Sequence, residues 1–196
     1  MEICQTERLI LRDLEEADWK PVHSYASNPE VVRYVDWGPN AVGETRNFIQ
    51  RAIATQKERP RRNYHFAIVL NAQNRLIGAC GIYVSNPGNR EGWIGFVLNR
   101  HFWGQGYATE AAKALLVFGF KKLNLHRIFA TCDPANIASA RVLEKIDMQR
   151  EGRLREHKWV KGKWRESLLY AILDHEWKEP KNINKNFKMI ATSPPA

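Results

Sequence analysis

The chain is 196 residues long, 44% hydrophobic and formally +9 at pH 7. That length suits one domain with a sizeable core, and no run approaches the ~18 apolar residues that a membrane helix needs. The opening MEICQTERL is charged within two residues and lacks a signal-peptide pattern, so a soluble cytoplasmic protein is expected. Cys4, Cys80 and Cys132 are isolated and odd in number, and neither CxxC nor HExxH occurs. No disulfide framework or metal site is therefore expected, and each cysteine reads as a small buried hydrophobe. The basic balance admits nucleic acid but equally suits a protein that holds a polyanionic cofactor. Much of the excess lies in KERPRR, Lys57–Arg62, and in the stretch from Lys178 to Ala196. Aromatic residues do not interleave with these runs as in a base-stacking platform, so both read as solvated surface.

In chain order, TERLILRD, Thr6–Asp13, alternates as a first strand. Glu15–Ser27 reads as a helix with Trp19, Val22, His23 and Ala26 on one stripe, broken by Asn28-Pro29. Gly43–Lys57 reads as a second helix that stops near Pro60. Three meander strands follow, Tyr64–Leu70, Arg75–Val84 and Glu91–Leu98, joined by the turn-rich NAQN and SNPGN. A helix over Tyr107–Leu123 carries Ala108, Ala111, Ala112, Leu115 and Gly119 at helical spacing. Then come a strand, His126–Cys132, a helix, Asn136–Ile146, and two long strands, Met148–Val160 and Lys163–Asp174, around a Lys161-Gly162 hairpin turn. The order β-α-α-β-β-β-α-β-α-β-β predicts an α/β domain over residues 1–177, with a single mixed, mostly antiparallel sheet and helices on both faces. Residues 178–196 are polar with prolines at the end and read as a loose tail.

Gly104 and Gly106 sit directly before the helix that starts at Tyr107. A helix N-terminus offers unpaired N–H groups and partial positive charge, which together suit a phosphate. Glycines clear side chains from that approach and permit a tight turn. Neither GxxxxGK[ST] nor GxGxxG is present, so the nucleotide loops known by those patterns are excluded. A plain strand-to-helix turn remains the alternative on the glycine pair alone.

The stretch HFWGQGYATEAAKALLVFGF resembles the cofactor motif of the GNAT superfamily of acetyl-CoA-dependent N-acetyltransferases, Gln/Arg-x-x-Gly-x-Gly/Ala. Gly106 and Ala108 fill its last two anchors, and Trp103 stands where Gln or Arg is usual. ANIASARVLEKIDM resembles the family's Asn-x-x-Ser…Glu-Lys-x-Gly-Phe segment through Asn136, Ser139, Glu144 and Lys145, with Asp147-Met148 in place of Gly-Phe. TERLILRDLEEADW, NPEVVRY and GKWRESLLYAIL are similar to the ribosomal-protein-N-acetyltransferase-like branch, so the resemblance spans Thr6–Trp177.

The resemblance implies transfer of the acetyl group of acetyl-CoA to a neutral amine, with no metal. It assigns the pyrophosphate to main-chain N–H groups around Gly104, Gln105, Gly106, Tyr107, Ala108 and Thr109, with Trp103 at the loop's start. It assigns the pantetheine to a strand edge at Phe96, Val97 and Leu98 and to Asn136, for which an N-cap is the alternative. Arg100, His101, Arg141 and Lys145 are phosphate candidates, with solvated surface as the alternative. A tyrosine that many relatives use to protonate the thiolate is Leu143 here. Ser139 is the implied acid, with Cys132 second. The glutamate slot for a base is Trp93, so Glu91, two residues earlier on the same strand face, is the candidate base, with a water chain as the alternative. An α-amine, pKa ~7.7–8.0, loses its proton far more readily than a lysine at ~10.4, which favours a protein N-terminus over a small amine, and the branch resembled implies a ribosomal protein as one such acceptor. Tyr34, Trp37, Trp159 and Trp164 are expected as walls of an acceptor pocket. A non-catalytic acetyl-CoA-binding module is the rival, and both monomer and homodimer remain open.

Overall fold

The computed structural model describes residues 2–179; the expected tail lies almost wholly outside them. Its strands are β1 (Glu2–Gln5), β2 (Leu9–Asp13), β3 (Asn63–Leu70), β4 (Arg75–Asn86), β5 (Glu91–Leu98), β6 (Arg127–Cys132), β7 (Gln149–Val160) and β8 (Lys163–Leu173). Its helices are α1 (Trp19–Ala26), α2 (Val42–Thr55), α3 (Tyr107–Lys121) and α4 (Ile137–Lys145). All eight strands form one sheet in the order β1-β2-β3-β4-β5-β6-β8-β7. Every neighbouring pair is antiparallel except β5 and β6.

The sequence reading departs from this fold at the N-terminus. The strand expected over Thr6–Asp13 is the shorter Leu9–Asp13, and an unexpected strand, Glu2–Gln5, precedes it, because Thr6 makes a turn between them. Its backbone N–H donates to the Leu9 carbonyl at 2.8 Å, and its Oγ1 accepts from the Leu9 N–H at 3.0 Å. The hydroxyl thus stands in for ladder bonds and sends the chain back as β1.

β3 shows why the sheet is covered on both faces. Phe66, Ile68 and Leu70 point into a core shared with α3, while Ala67 and Val69 point into a second core under α1 and α2. Strand alternation then yields an unbroken apolar run instead of a half-polar one. α3 is buried almost all round from Ala111 onward, wider than the expected stripe. A Cβ at Gly119 would meet Ile128 at 2.5 Å and Ile82 at 2.7 Å, so glycine lets α3 lie close on β4 and β6. The three cysteines are buried and free, as expected. The Lys161-Gly162 turn also forms, with both residues at positive φ. KERPRR is less solvated than expected. Arg61 turns inward and donates to Asp13 at 2.7 Å, with both side chains largely buried. Among the described residues no helix is long and apolar enough to cross a membrane.

Candidate active site

β5 and β6 are paired only at Glu91↔Arg127, Gly92↔Ile128 and Trp93↔Phe129. Beyond that point the two strands diverge. β5 keeps its ladder with β4 through Leu98, and β6 keeps its ladder with β8 through Cys132. From Ile94 onward the β6-facing edge of β5 therefore offers backbone donors and acceptors with no strand opposite. Such an edge can take an extended, amide-bearing ligand as a sheet takes an added strand. The gap opens into a cleft of about 1240 Å³ that runs under α1 and α2 to the β7–β8 hairpin.

At the far end of β5 the chain turns through Gly104 and Gly106 into α3. Both glycines have positive φ, +74° and +82°. A side chain at either would be strained by roughly 1–3 kcal/mol, although neither position is crowded. Gly106 is the N-cap residue and supplies no side-chain cap. The first N–H groups of α3, from Tyr107 to Thr109, are thus left for an outside acceptor.

The loop is held from a distance. Arg8, in the β1–β2 turn, donates from Nη1 to the Gln105 carbonyl at 3.0 Å and from Nε to Glu110 at 2.7 Å. Thr6 Oγ1 donates to the same carboxylate at 2.6 Å, and the Arg8 guanidinium lies over the Tyr107 ring. This brace was not legible in the sequence, where Arg8 looked like any outward residue of a strand.

α4 borders the cleft on its other side. The Asn136 side-chain oxygen accepts from the Ser139 N–H at 3.1 Å and caps the helix. Its amide Nδ2 remains a donor, so capping and ligand contact are compatible. Asn136, Ser139, Cys132, Phe96 and Val97 all line the cleft. Leu98 does not; it alternates into the core. Leu143 lines the wall near Ser139. Burial, with Asp133 and Glu144 nearby, pushes the Cys132 thiol up to about 11, so it stays protonated at neutral pH.

Several candidates are not brought to the cleft. Glu91 shares a strand face with Trp93 but sits at the strand's start, where it pairs with Arg127 at 3.2 Å. It does not line the cleft, because two residues along a strand displace it by ~7 Å. Arg141 and Lys145 lie on the exposed face of α4, and Arg100 is paired with Glu30 at 2.7 Å. Trp103 is half exposed and donates its indole N–H to the Leu98 carbonyl at 2.9 Å, bracing the loop's start. Trp159 and Trp164 stack edge to face on the outside of the hairpin, 62% and 56% exposed, whereas Tyr34 and Trp37 do line the cleft.

The sequence reading missed a cluster on β3 and β4. His65 Nδ1 lies 3.1 Å from the Tyr83 hydroxyl, and Tyr83 stacks on Trp93 at 3.9 Å. Burial, then the charges of Arg61 and Arg51, push the His65 pKa down to about 4. His157, held to Ser167 at 2.9 Å, is also lowered by burial. Both imidazoles line the cleft and are neutral at pH 7.

A sheet split between two parallel strands, with a glycine-led helix N-terminus at the end of one of them, leaves open backbone along one wall of a cleft and unpaired N–H groups beyond it. Residues 8–149 match the family model described as Acetyltransferase (GNAT) domain, and the chain belongs to that family. It is 37% identical over 172 residues to the uncharacterized N-acetyltransferase YnaD of Bacillus subtilis, covering 88% of this chain and 97% of that one. It superposes with a TM-score of 0.79 on a GNAT-family acetyltransferase from Bacillus anthracis, 38% identical, covering 90% and 100% of the two chains. It is also 26% identical over 168 residues to the spermidine N(1)-acetyltransferase of Escherichia coli, covering 85% and 87%. The protein is an N-acetyltransferase that uses acetyl-CoA. The free edge of β5 and the uncapped start of α3 fit that co-substrate.

Proposed function

We propose that the protein acetylates a primary amine, foremost a protein N-terminal α-amine, by direct attack in a ternary complex. Acetyl-CoA supplies a thioester: the amine nitrogen bonds to its carbonyl carbon, the C–S bond breaks, and the amine proton leaves. The N–H groups of Tyr107–Thr109 and of the Gly104–Gly106 loop hold the pyrophosphate, and Arg8 keeps that loop in place. The open backbone of Phe96 and Val97 and the Asn136 amide align the pantetheine. Ser139 Oγ, with the protonated Cys132 thiol as the second donor, meets the leaving thiolate.

The observation that carries the reading is the splay of β5 from β6 beyond Trp93, with Ser139 and Cys132 on the wall it opens. The groups at the other end support an α-amine. His65 and His157 are neutral but weak bases, and they suffice, directly or through water, only for an amine already close to losing its proton. An α-amine meets that condition at pH 7 and a lysine or polyamine ammonium does not. Similarity to the spermidine enzyme favours a polyamine as the second reading. Titrating the protein calorimetrically with acetyl-CoA, with CoA as control, and then following thiol release with peptide and small amines tests the proposal. One saturable site per chain and amine-dependent release are expected. No binding would overturn it.

A further inference from the structure

Arg165 and Lys161, on β8 and the hairpin turn, line the cleft. Both contacts that Arg165 makes use Nη1: a hydrogen bond to the Arg33 carbonyl at 3.1 Å and a longer approach to Asp133 at 3.7 Å. Its Nε is buried with no partner among the described residues. Nε is closed off from the cleft, so Nη2, which makes neither of these contacts, is the nitrogen left to donate to a carboxylate there. Lys161 Nζ gives one of its three donors to the Val32 carbonyl, at 2.7 Å. Burial and the nearby Arg165 charge lower the Lys161 pKa, as expected of two cations held close together. The carboxylates that line the cleft relieve this only in part: Asp133 Oδ2 lies 3.7 Å from Arg165, and Asp36 offsets some of the lowering at Lys161, but each is shared with another donor. Asp36 faces Lys158 at 3.5 Å, Glu44 accepts from the Ala41 N–H, Asp133 accepts from the Ala135 N–H, and Glu166 is paired with Arg153.

We infer that the acceptor carries a carboxylate beside its reacting amine, and that Arg165 and Lys161 receive it. The inference rests on the acetyl-transfer reading above and narrows it: an acidic amine is selected and a polycation is repelled. The carboxylate belongs either to an acidic side chain next to a protein N-terminus or to a free amino acid. Arg165 is a specificity-determining residue in this scheme, since it touches the acceptor away from the reacting atoms.

The test is binding to full-length, CoA-loaded protein, measured by calorimetry. The probes are the amides of Ala-Glu-Glu-Ala-Ala, Ala-Gln-Gln-Ala-Ala and Ala-Lys-Lys-Ala-Ala, together with free glutamate and spermidine. The acidic peptide or glutamate is expected to bind about tenfold more tightly than the Gln peptide, with the Lys peptide and spermidine weakest. Whichever of the two acidic probes is tighter identifies the source of the carboxylate. Arg165→Gln should bring the Glu and Gln peptides to within about threefold of each other, with acetyl-CoA affinity unchanged. Lys161→Gln, at an exposed turn, should narrow the same gap and serves if the Arg165 variant does not fold. Equal binding of the Glu and Gln peptides, tighter binding of spermidine, or a gap unmoved by either variant would overturn the inference while leaving acetyl transfer intact. Failure of acetyl-CoA itself to bind would instead overturn the reading on which it rests.

Discussion

The two ends of the cleft are built from different materials. The end proposed for the co-substrate is mostly backbone: an open strand edge, a glycine turn at positive φ and the N–H groups that start α3. The end proposed for the acceptor is mostly side chains, brought from α2, β3, β4, the loop after α1 and the β7–β8 hairpin. Backbone groups are the same whatever the sequence, so the first end can stay constant while the second changes. Members of one family can thus share a co-substrate and differ in acceptor, which is why fold alone does not identify the amine.

The largest expected effect is at the backbone end. Gly106→Asp puts a strained residue and a negative charge where phosphate is expected, and acetyl-CoA affinity should fall by about 100-fold in calorimetry. An unchanged affinity would reduce the loop to a turn. Ser139→Ala comes next. Turnover should drop by roughly tenfold while acetyl-CoA affinity stays within about twofold, because the lost hydroxyl acts on the leaving group. An undiminished rate would shift the proton to Cys132 or water. Arg8→Ala should raise the acetyl-CoA KM by several-fold and leave the acceptor KM alone, since Arg8 braces the loop and touches nothing at the other end. An equal rise in both would deny that the ends are independent.

The smallest effect concerns stability. His65 titrates near 4 in the folded protein, against about 6.5 when exposed. The folded state therefore resists protonation. The contribution is complete above about pH 6.5 and is lost as the pH falls toward 4. His65→Gln should flatten the fall in Tm across that window, and identical acid limbs would show that the imidazole is not buried neutral.

The elements were largely legible because their signals are local. Helix periodicity found α3, with Leu115 inward, and turn chemistry found Lys161-Gly162. β1 was missed because one threonine hydroxyl, not a glycine or proline, makes the turn before β2. Trp159 and Trp164 were expected as walls of the acceptor pocket, yet both face outward from the β7–β8 hairpin. Glu91 satisfied the alternation rule and still lies outside the cleft, paired with Arg127, because alternation fixes the face and not the distance along it.

By itself, the sequence determined the order of elements from β2 onward, the glycine turn before α3 and the family likeness that points to acetyl-CoA. Each depends on residues within a few positions of one another, where torsional and helical constraints act directly. Only the tertiary structure decided where β5 leaves β6, that Arg8 braces a loop about a hundred residues away, and that His65, Arg165 and Lys161 share one cleft. Those depend on strand order and on long-range packing. Such relations join residues far apart in the chain, so no local pattern encodes them.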